Sequence, residues 1–268
     1  MKRRPSELLI ALVLIACNAS GETHCDGDGL DVLADIRARG ALRVAHTNDY
    51  RPFSFTDAAG APTGIDVDLA QRLARALGVP LQWVDTTWTA LVADLQAHRY
   101  DIAMSGVSVT TERQSAGCFT APYLQTGKTA LTRCASHRTF DTLAQIDDPT
   151  VTVIVNPGGT NERFVRDRLR NAHVVVHPDN PTIFGALAAG AADVMITDAV
   201  EARLEARSNP ALCVADPPPL FEPVTKAYLI PKDSRWQAWV DEWLASITSS
   251  GELAAVKQLY LGAPSSSP

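Results

Sequence analysis

Beyond its first four positions the chain has no block of basic residues: 24 Lys and Arg face 30 Asp and Glu across 268 residues, for a formal charge of −6. A phosphate-binding face needs clustered cations, so nucleic acid is excluded as a partner. No apolar run approaches the ~20 residues that cross a bilayer as a helix, the longest being Leu8 to Ala16. There is no CxxC pair and no HExxH, which removes the usual structural and catalytic zinc patterns, and no metal is expected. Gly127-Lys128-Thr129 would complete a nucleotide-binding P-loop only with a glycine at position 122, where Pro122 stands. What is present is ordinary globular usage: 46% apolar and 20% charged residues, with 16 Gly and 17 Pro. That is enough for a real core in one large or two modest domains.

Lys2, Arg3 and Arg4 lead into the apolar run, which reads as a secretory signal over residues 1–16. Its end, Leu14-Ile15-Ala16-Cys17, is similar to the bacterial lipobox, in which the cysteine is lipidated after cleavage. The expectation is an envelope protein touching the membrane only through a lipid on Cys17, followed by a polar, Gly-rich tether over 17–30. An ordinary cleaved signal with an incidental Cys17 is the alternative.

From Leu30 onward apolar patterning alternates between strand and helix. Strands are predicted at 42–46, 81–85 and 101–105, separated by helices at 64–78 and 88–98, a βαβαβ run. Leu69, Leu73 and Leu77 recur at four-residue spacing with Arg72 and Arg75 between them, an apolar face for packing on a sheet. A second unit follows, with strands at 150–155, 173–177 and 192–197 and helices at 158–172, 181–190 and 198–208. Asn180-Pro181 reads as a cap and first-turn proline, and Gly190 as a stop. After the stiff stretch 217–223 come a strand at 226–232 and two helices, with Trp236, Trp239 and Trp243 at helical spacing as core. Extended crossings near 130–134 and 223–228 predict two α/β lobes with a ligand cleft between them: 31–132 with 225–262, and 133–224, then a disordered tail over 263–268.

Ser105, Gly106 and Ser108 follow a predicted strand, and a Thr-capped turn then carries Arg113, with Phe119, Pro122 and Tyr123 beyond it. A guanidinium meets a carboxylate with a planar fork of donors, here assisted by backbone N–H groups at Gly106 and Ser108. The segment resembles the family 3 bacterial solute-binding proteins, which implies a periplasmic-binding-protein-like type II fold and an Arg113 that grips a ligand carboxylate. Asn156-Pro157-Gly158-Gly159-Thr160-Asn161-Glu162 opens a helix whose N–H groups suit an anion. Thr197-Asp198-Ala199-Val200-Glu201 sits where a strand hands over to a helix. In amino-acid binders of the family an aspartate at the place of Asp198 receives the ligand's amine. Two carboxyls in one cleft raise each other's pKa, so Glu201 reads as a proton donor, or else as a solvated helix residue near Arg203 or Arg207.

Taken together, TNDYRPFSF (47–55), TTWTAL (86–91), DIAMSGVSVTTERQ (101–114), PYLQTGKT (122–129), VNPGGTNERF (155–164), HPDNPTIF (177–184) and ITDAVEARLEA (196–206) resemble the periplasmic cyclohexadienyl dehydratases. The resemblance covers roughly residues 30–260. It implies a lyase acting on prephenate or arogenate without cofactor, Glu201 as general acid, Arg113, Thr160 and Asn161 on carboxylates, and Tyr50, Trp88, Lys128 and Asn156 around the substrate. The rival reading is a non-catalytic receptor that delivers a polar amino acid to an ABC transporter, for which Arg113 and Asp198 would serve equally well. The resemblance also implies a Cys134–Cys213 disulfide. Cys118 is expected as a buried thiol and Cys25 as a free one, a bond between them being the open alternative. None of the six histidines is assigned to catalysis; His177 is expected to make a loop hydrogen bond.

Overall fold

The computed structural model describes Cys25, Gly27 and residues 29–136, 138–214 and 220–262. The expected signal segment 1–16, Cys17, most of the tether and the 263–268 tail lie outside the described residues.

Two sheets organise the chain. The first has the order Leu81–Asp85, Leu42–His46, Ile102–Ala103, Leu229–Ile230, Cys118–Phe119. Its first three strands are parallel, as right-handed crossovers through helices require, and the last two are antiparallel to their neighbours. The helix Ile65–Leu77 turns Leu69 and Leu73 fully into the core and leaves Leu77 at its margin. It ends on Gly78, whose positive φ lets its N–H close back on the Ala74 carbonyl. The helix Ser234–Ser249 buries Trp236 completely, and Trp239 stacks on it. The Trp236 indole donates to the Asp101 carbonyl at 2.9 Å, satisfying its buried N–H. The helix Val32–Arg39, which no periodic signal announced, is tied to the same region because its Val32 N–H donates to Asp233 at 2.8 Å.

The second sheet has the order His173–Val176, Thr152–Val155, Val194–Asp198, Leu124–Arg133, Leu212–Cys213, with Glu222–Lys226 also pairing on Leu124–Arg133. This relocates the crossings. The strand Leu124–Arg133, placed in the first lobe up to residue 132 by the sequence reading, is antiparallel to Val194–Asp198 of the second sheet over five residue pairs from Thr132 to Lys128. The chain therefore crosses along Leu124–Lys128 and is in the second sheet from Lys128 onward. It returns through Glu222–Lys226, which pairs with the start of the outgoing strand, Leu124 opposite Lys226 and Lys128 opposite Glu222. The hinge is this antiparallel ribbon rather than two independent extended segments, because both crossings satisfy their backbone groups on each other.

The cysteines correct one expectation and meet another. Cys134 is bonded to Cys213, as the resemblance implied. Cys25 and Cys118, expected as separate thiols, are bonded to each other. The reason is spatial: Cys118 lies on the edge strand beside Leu229–Ile230, and Cys25, 3% exposed, packs by Pro231 just beyond it. The end of the supposed tether is thus fastened to the first lobe. The Cys134–Cys213 bond spans 79 residues, and the loss of unfolded-chain entropy on closing such a loop amounts to about 4.5 kcal/mol. Replacing both Cys134 and Cys213 by Ser is expected to lower urea-unfolding stability by up to that amount; an unchanged midpoint would refute the assignment.

Candidate active site

A cleft of about 340 Å³ lies between the sheets. Tyr50, Trp88, Gly106, Ser108 and Arg113 line it from the first lobe. Asn156, Gly159, Thr160, Asn161, Asn180, Asp198 and Glu201 line it from the second, and Lys226 enters from the returning hinge strand. The lobes are closed on it: the Tyr50 hydroxyl donates to Asp198, and the Asn180 amide donates across to the Asp49 carbonyl at 3.0 Å. Asn180 therefore does not cap its own helix, as its sequence position suggested, but reaches the other lobe. His177 makes the expected loop bond, to the Thr182 hydroxyl at 2.8 Å.

The deepest feature is a buried ion cluster. Lys128 and Asp198 are cross-strand partners in the second sheet, so their side chains share a face. Lys128 Nζ donates to Asp198 Oδ1 at 2.7 Å, and Lys226 Nζ donates to Oδ2 at 2.6 Å. None of the three residues is more than 2% exposed. Burial alone would push the Asp198 carboxyl up, but the two ammonium groups outweigh it and hold the carboxyl well below the usual carboxylate range. Burial pulls Lys226 down, and Asp198 opposes that pull. Lys226 also donates to Ser108 Oγ at 2.9 Å and to the Tyr50 hydroxyl at 3.2 Å.

Glu201 lies three residues beyond Asp198, in the first turn of the helix Ala199–Ser208, and is 2% exposed. Its environment is opposite in sign. Burial pushes its carboxyl up to about 8; Asp198 and Glu205 add to the shift, while the Thr197 hydroxyl and Lys226 oppose it. Thr197 donates to Glu201 Oε2 and accepts from Asn161 Nδ2 at 3.2 Å, so the acid is held in place by a short polar chain. The expectation of a solvated helix residue is excluded by this burial. Two carboxyls three residues apart are thus driven to opposite charge states, one an anion and one a neutral acid, which is the pattern of an acid catalyst beside a fixed counter-charge.

Arg113 is buried, with Nη1 donating to the Ser108 carbonyl at 2.9 Å and the guanidinium 5.7 Å from the centre of the Trp88 ring. Burial, with Arg163 adding to it, lowers its pKa to about 10, so it remains cationic at neutral pH. Thr110 caps the helix that carries it, as the motif suggested.

Three expected contacts are placed differently. The Gly106 N–H, expected to face a ligand, is donated to the buried Asp66 carboxylate. Gly106 is required for another reason: its φ is +65°, and a Cβ there would lie 2.6 Å from the Phe53 ring. Ser105 does not line the cleft; its hydroxyl accepts the Thr47 N–H at 3.1 Å and pairs with the Thr47 hydroxyl at 2.8 Å. Lys128 stands behind the wall, its ammonium donating to Thr160 Oγ1 at 2.9 Å, to Asn161 Oδ1 and to Asp198. It orders the wall rather than forming it. Conversely, Lys226 and Asn180 are cleft residues that sequence reading passed over as part of a strand and a cap. Among the described residues no group of three or more His, Cys, Asp and Glu side chains is arranged to hold a metal ion.

Relatives share this architecture over nearly the whole chain. A cyclohexadienyl dehydratase of Pseudomonas aeruginosa is 48% identical over 246 residues, covering 92% of this chain and 91% of that protein. An ancestral amino acid-binding protein, described as a precursor of cyclohexadienyl dehydratase, superposes with a TM-score of 0.80 at 32% identity, covering 86% of this chain and all of that one. An ancestral cyclohexadienyl dehydratase is 43% identical with a TM-score of 0.54, covering 88% of this chain and 98% of that one. The family described as bacterial extracellular solute-binding proteins, family 3, matches residues 42–263. With four-fifths of its length inside that match and two closed α/β lobes around one cleft, the chain belongs to the bacterial extracellular solute-binding proteins, family 3.

Proposed function

We propose that the chain is a cyclohexadienyl dehydratase, converting prephenate to phenylpyruvate, and arogenate to phenylalanine, with Glu201 as the general acid. The observation that carries this reading is a buried, neutral Glu201 facing the same cleft as the cationic Arg113. A receptor for amino acids needs no proton donor. Identity of 48% to a curated dehydratase supports the same conclusion. Prephenate carries a ring carboxylate, a pyruvyl carboxylate and a ring hydroxyl that leaves poorly until it is protonated. With Glu201 Oε2 engaged by Thr197, the transferable proton is assigned to Oε1. Proton transfer lets the ring C–O bond break and water depart. The bond to the ring carboxylate then breaks, carbon dioxide leaves, and its electron pair completes the aromatic ring. Prephenate dianion and one proton give phenylpyruvate anion, carbon dioxide and water, so Glu201 must regain a proton from solvent in each cycle.

Arg113 offers its remaining guanidinium donors to one carboxylate, and the N-terminus of the helix Thr160–Arg168, opened by Gly159 and Thr160, offers backbone donors to the other. Trp88 and Tyr50, in edge-to-face contact at 5.8 Å, form an apolar wall for the ring. The first-lobe and second-lobe residues meet only when the lobes close, which orients substrate and excludes water. The extracellular family and the 1–16 signal support a periplasmic location, and the lipobox-like Cys17 supports a lipid anchor.

Glu201→Gln is expected to lower kcat by about 10²–10⁴ while prephenate still binds, read by the ultraviolet absorbance of phenylpyruvate; near-complete retention of turnover would eliminate the role. The protonated acid is the active form, so turnover in the parent should fall as pH rises through about 8, and Glu201→Gln should lose that limb of the profile. Because the folded pKa lies above the ordinary 4.5, the folded chain binds an extra proton between about 4.5 and 8 and loses stability as pH rises across that window. Glu201→Gln should therefore melt higher than the parent at pH 9 and much like it at pH 4.

A further inference from the structure

Three polar side chains lead to Glu201 in a fixed order. Lys128 Nζ can donate and cannot accept, so the Asn161 side chain must meet it with its carbonyl oxygen, Oδ1. The amide hydrogens of Asn161 then point the other way, toward Thr197 Oγ1 at 3.2 Å and Asn156 Oδ1 at 3.4 Å. Thr197 is fully buried, and among the described residues its hydroxyl hydrogen has one acceptor, Glu201 Oε2. If Oε2 itself carried the acid's proton, Thr197 Oγ1 would receive two donors and its own hydrogen would be buried without a partner. Native interiors avoid that arrangement because a buried, unpaired donor loses its water and gains nothing. The direction of every bond in the chain thus follows from the charge on Lys128.

We infer that Lys128, Asn161 and Thr197 form a directional hydrogen-bond chain that keeps Glu201 Oε2 an acceptor and leaves the proton to Oε1, with Thr197 as the positioning residue of the acid. Calling Glu201 the general acid rests on the dehydratase reading. A carboxyl free to turn would divide its proton between two oxygens and two directions; one held at Oε2 presents it in one. The Asn161 side chain is committed inward, which leaves the substrate the backbone N–H groups at the start of the helix Thr160–Arg168. The titratable and charged groups facing Glu201 are Asp198 and Glu205 beside it in the chain, Lys226 from the returning hinge strand, and Tyr50 and Arg113 across the cleft. All of them stay in place in the Thr197 variants below, so a changed titration there reports the hydroxyl.

A neutron structure of the full chain at about pH 6, where the acid is protonated, reads the chain directly. Deuterium is expected on Glu201 Oε1 and on Thr197 Oγ1, the latter pointing at Oε2; deuterium on Oε2 would overturn the inference. The positioning role is read without turnover from the carboxyl-carbon resonance of isotope-labelled glutamate that disappears in Glu201→Gln. Thr197→Val removes a donor to the ionised form, so the midpoint of that resonance should rise from about 8 by about one pH unit. Thr197→Ser keeps the hydroxyl and should bring the midpoint back. With prephenate, Thr197→Val is expected to lower kcat at least about tenfold with KM changed less than about twofold, and Thr197→Ser to recover most of the loss. An unchanged midpoint in Thr197→Val, or a Thr197→Ser midpoint shifted as far, would remove Thr197 from the role; if Thr197→Val does not fold, the neutron structure decides alone. If no phenylpyruvate forms while the proton placement and the midpoints hold, the dehydratase reading falls and the directional chain stands.

Discussion

The grip of Lys128 and Lys226 on Asp198 is the interaction on which both the architecture and the chemistry depend. Taking such charges out of water costs several kcal/mol each, which only close, hydrogen-bonded pairing offsets. The pairing constrains three strands at once, since Lys128 lies on the outgoing hinge strand, Lys226 on the returning one and Asp198 at the end of a central strand of the second sheet. A one-residue slip in the hinge ribbon would turn Lys226 to the opposite face and leave Asp198 half-compensated. The cluster therefore specifies the register of the crossing more than it adds net stability, and it places Lys226 in the cleft with Lys128 behind its wall.

The same cluster adds to what burial does to Glu201. Burial is the largest cause of its raised pKa, and beside a carboxylate held ionised by two lysines it is pressed further toward its protonated form. The lysines act on the two acids unequally because both make direct bonds to Asp198, whereas Glu201 is bonded by the Thr197 hydroxyl. Distance and hydrogen bonding thus divide two similar side chains into an anion and an acid, and the division requires no metal or organic group to be invoked for the proton transfer.

Local patterns were readable from the sequence, and long-range consequences were not. The strands Leu42–His46 and Leu81–Asp85 and the helix Ile65–Leu77 stand within a residue of where periodicity put them, because each buries one face on its neighbours. Arg113, Asp198, Glu201 and the Gly159–Asn161 turn could be read because each sits in a compact motif at a strand or helix end. Lys226 could not: it is one lysine in an apolar strand, and only the antiparallel pairing of Glu222–Lys226 with Leu124–Lys128 carries it into the cleft. The same pairing hid the long strand Leu124–Arg133, whose first half looks like a linker until its partner is known. Cys25 was misread because a Gly-rich polar stretch resembles a free tether, and nothing local reveals that it lies against Pro231. Ser105 and the Gly106 N–H were assigned outward by motif, while Thr47 and Asp66, both distant in sequence, turn them inward.

The acid's protonation is also a property of closure. Glu201 lines the cleft between the lobes and is 2% exposed, its neighbour Val200 packs on the first-lobe core, and Tyr50 of that lobe bonds to Asp198. Separating the lobes would break the Tyr50 and Asn180 contacts and admit water to both carboxyls. Solvation relieves the burial that is the largest cause of the Glu201 shift, so the group would move back toward an ordinary carboxylate value. On the proposed mechanism, closing around the substrate would reverse this, because the lobes exclude water and Glu201 keeps its proton beside the leaving hydroxyl. On the proposed mechanism, opening after turnover would expose the Glu201 carboxylate to solvent, from which it regains the proton each cycle consumes. On that reading, a fold that closes on a ligand supplies, with one buried glutamic acid in the first turn of the helix Ala199–Ser208, both the arming and the resetting of an acid catalyst.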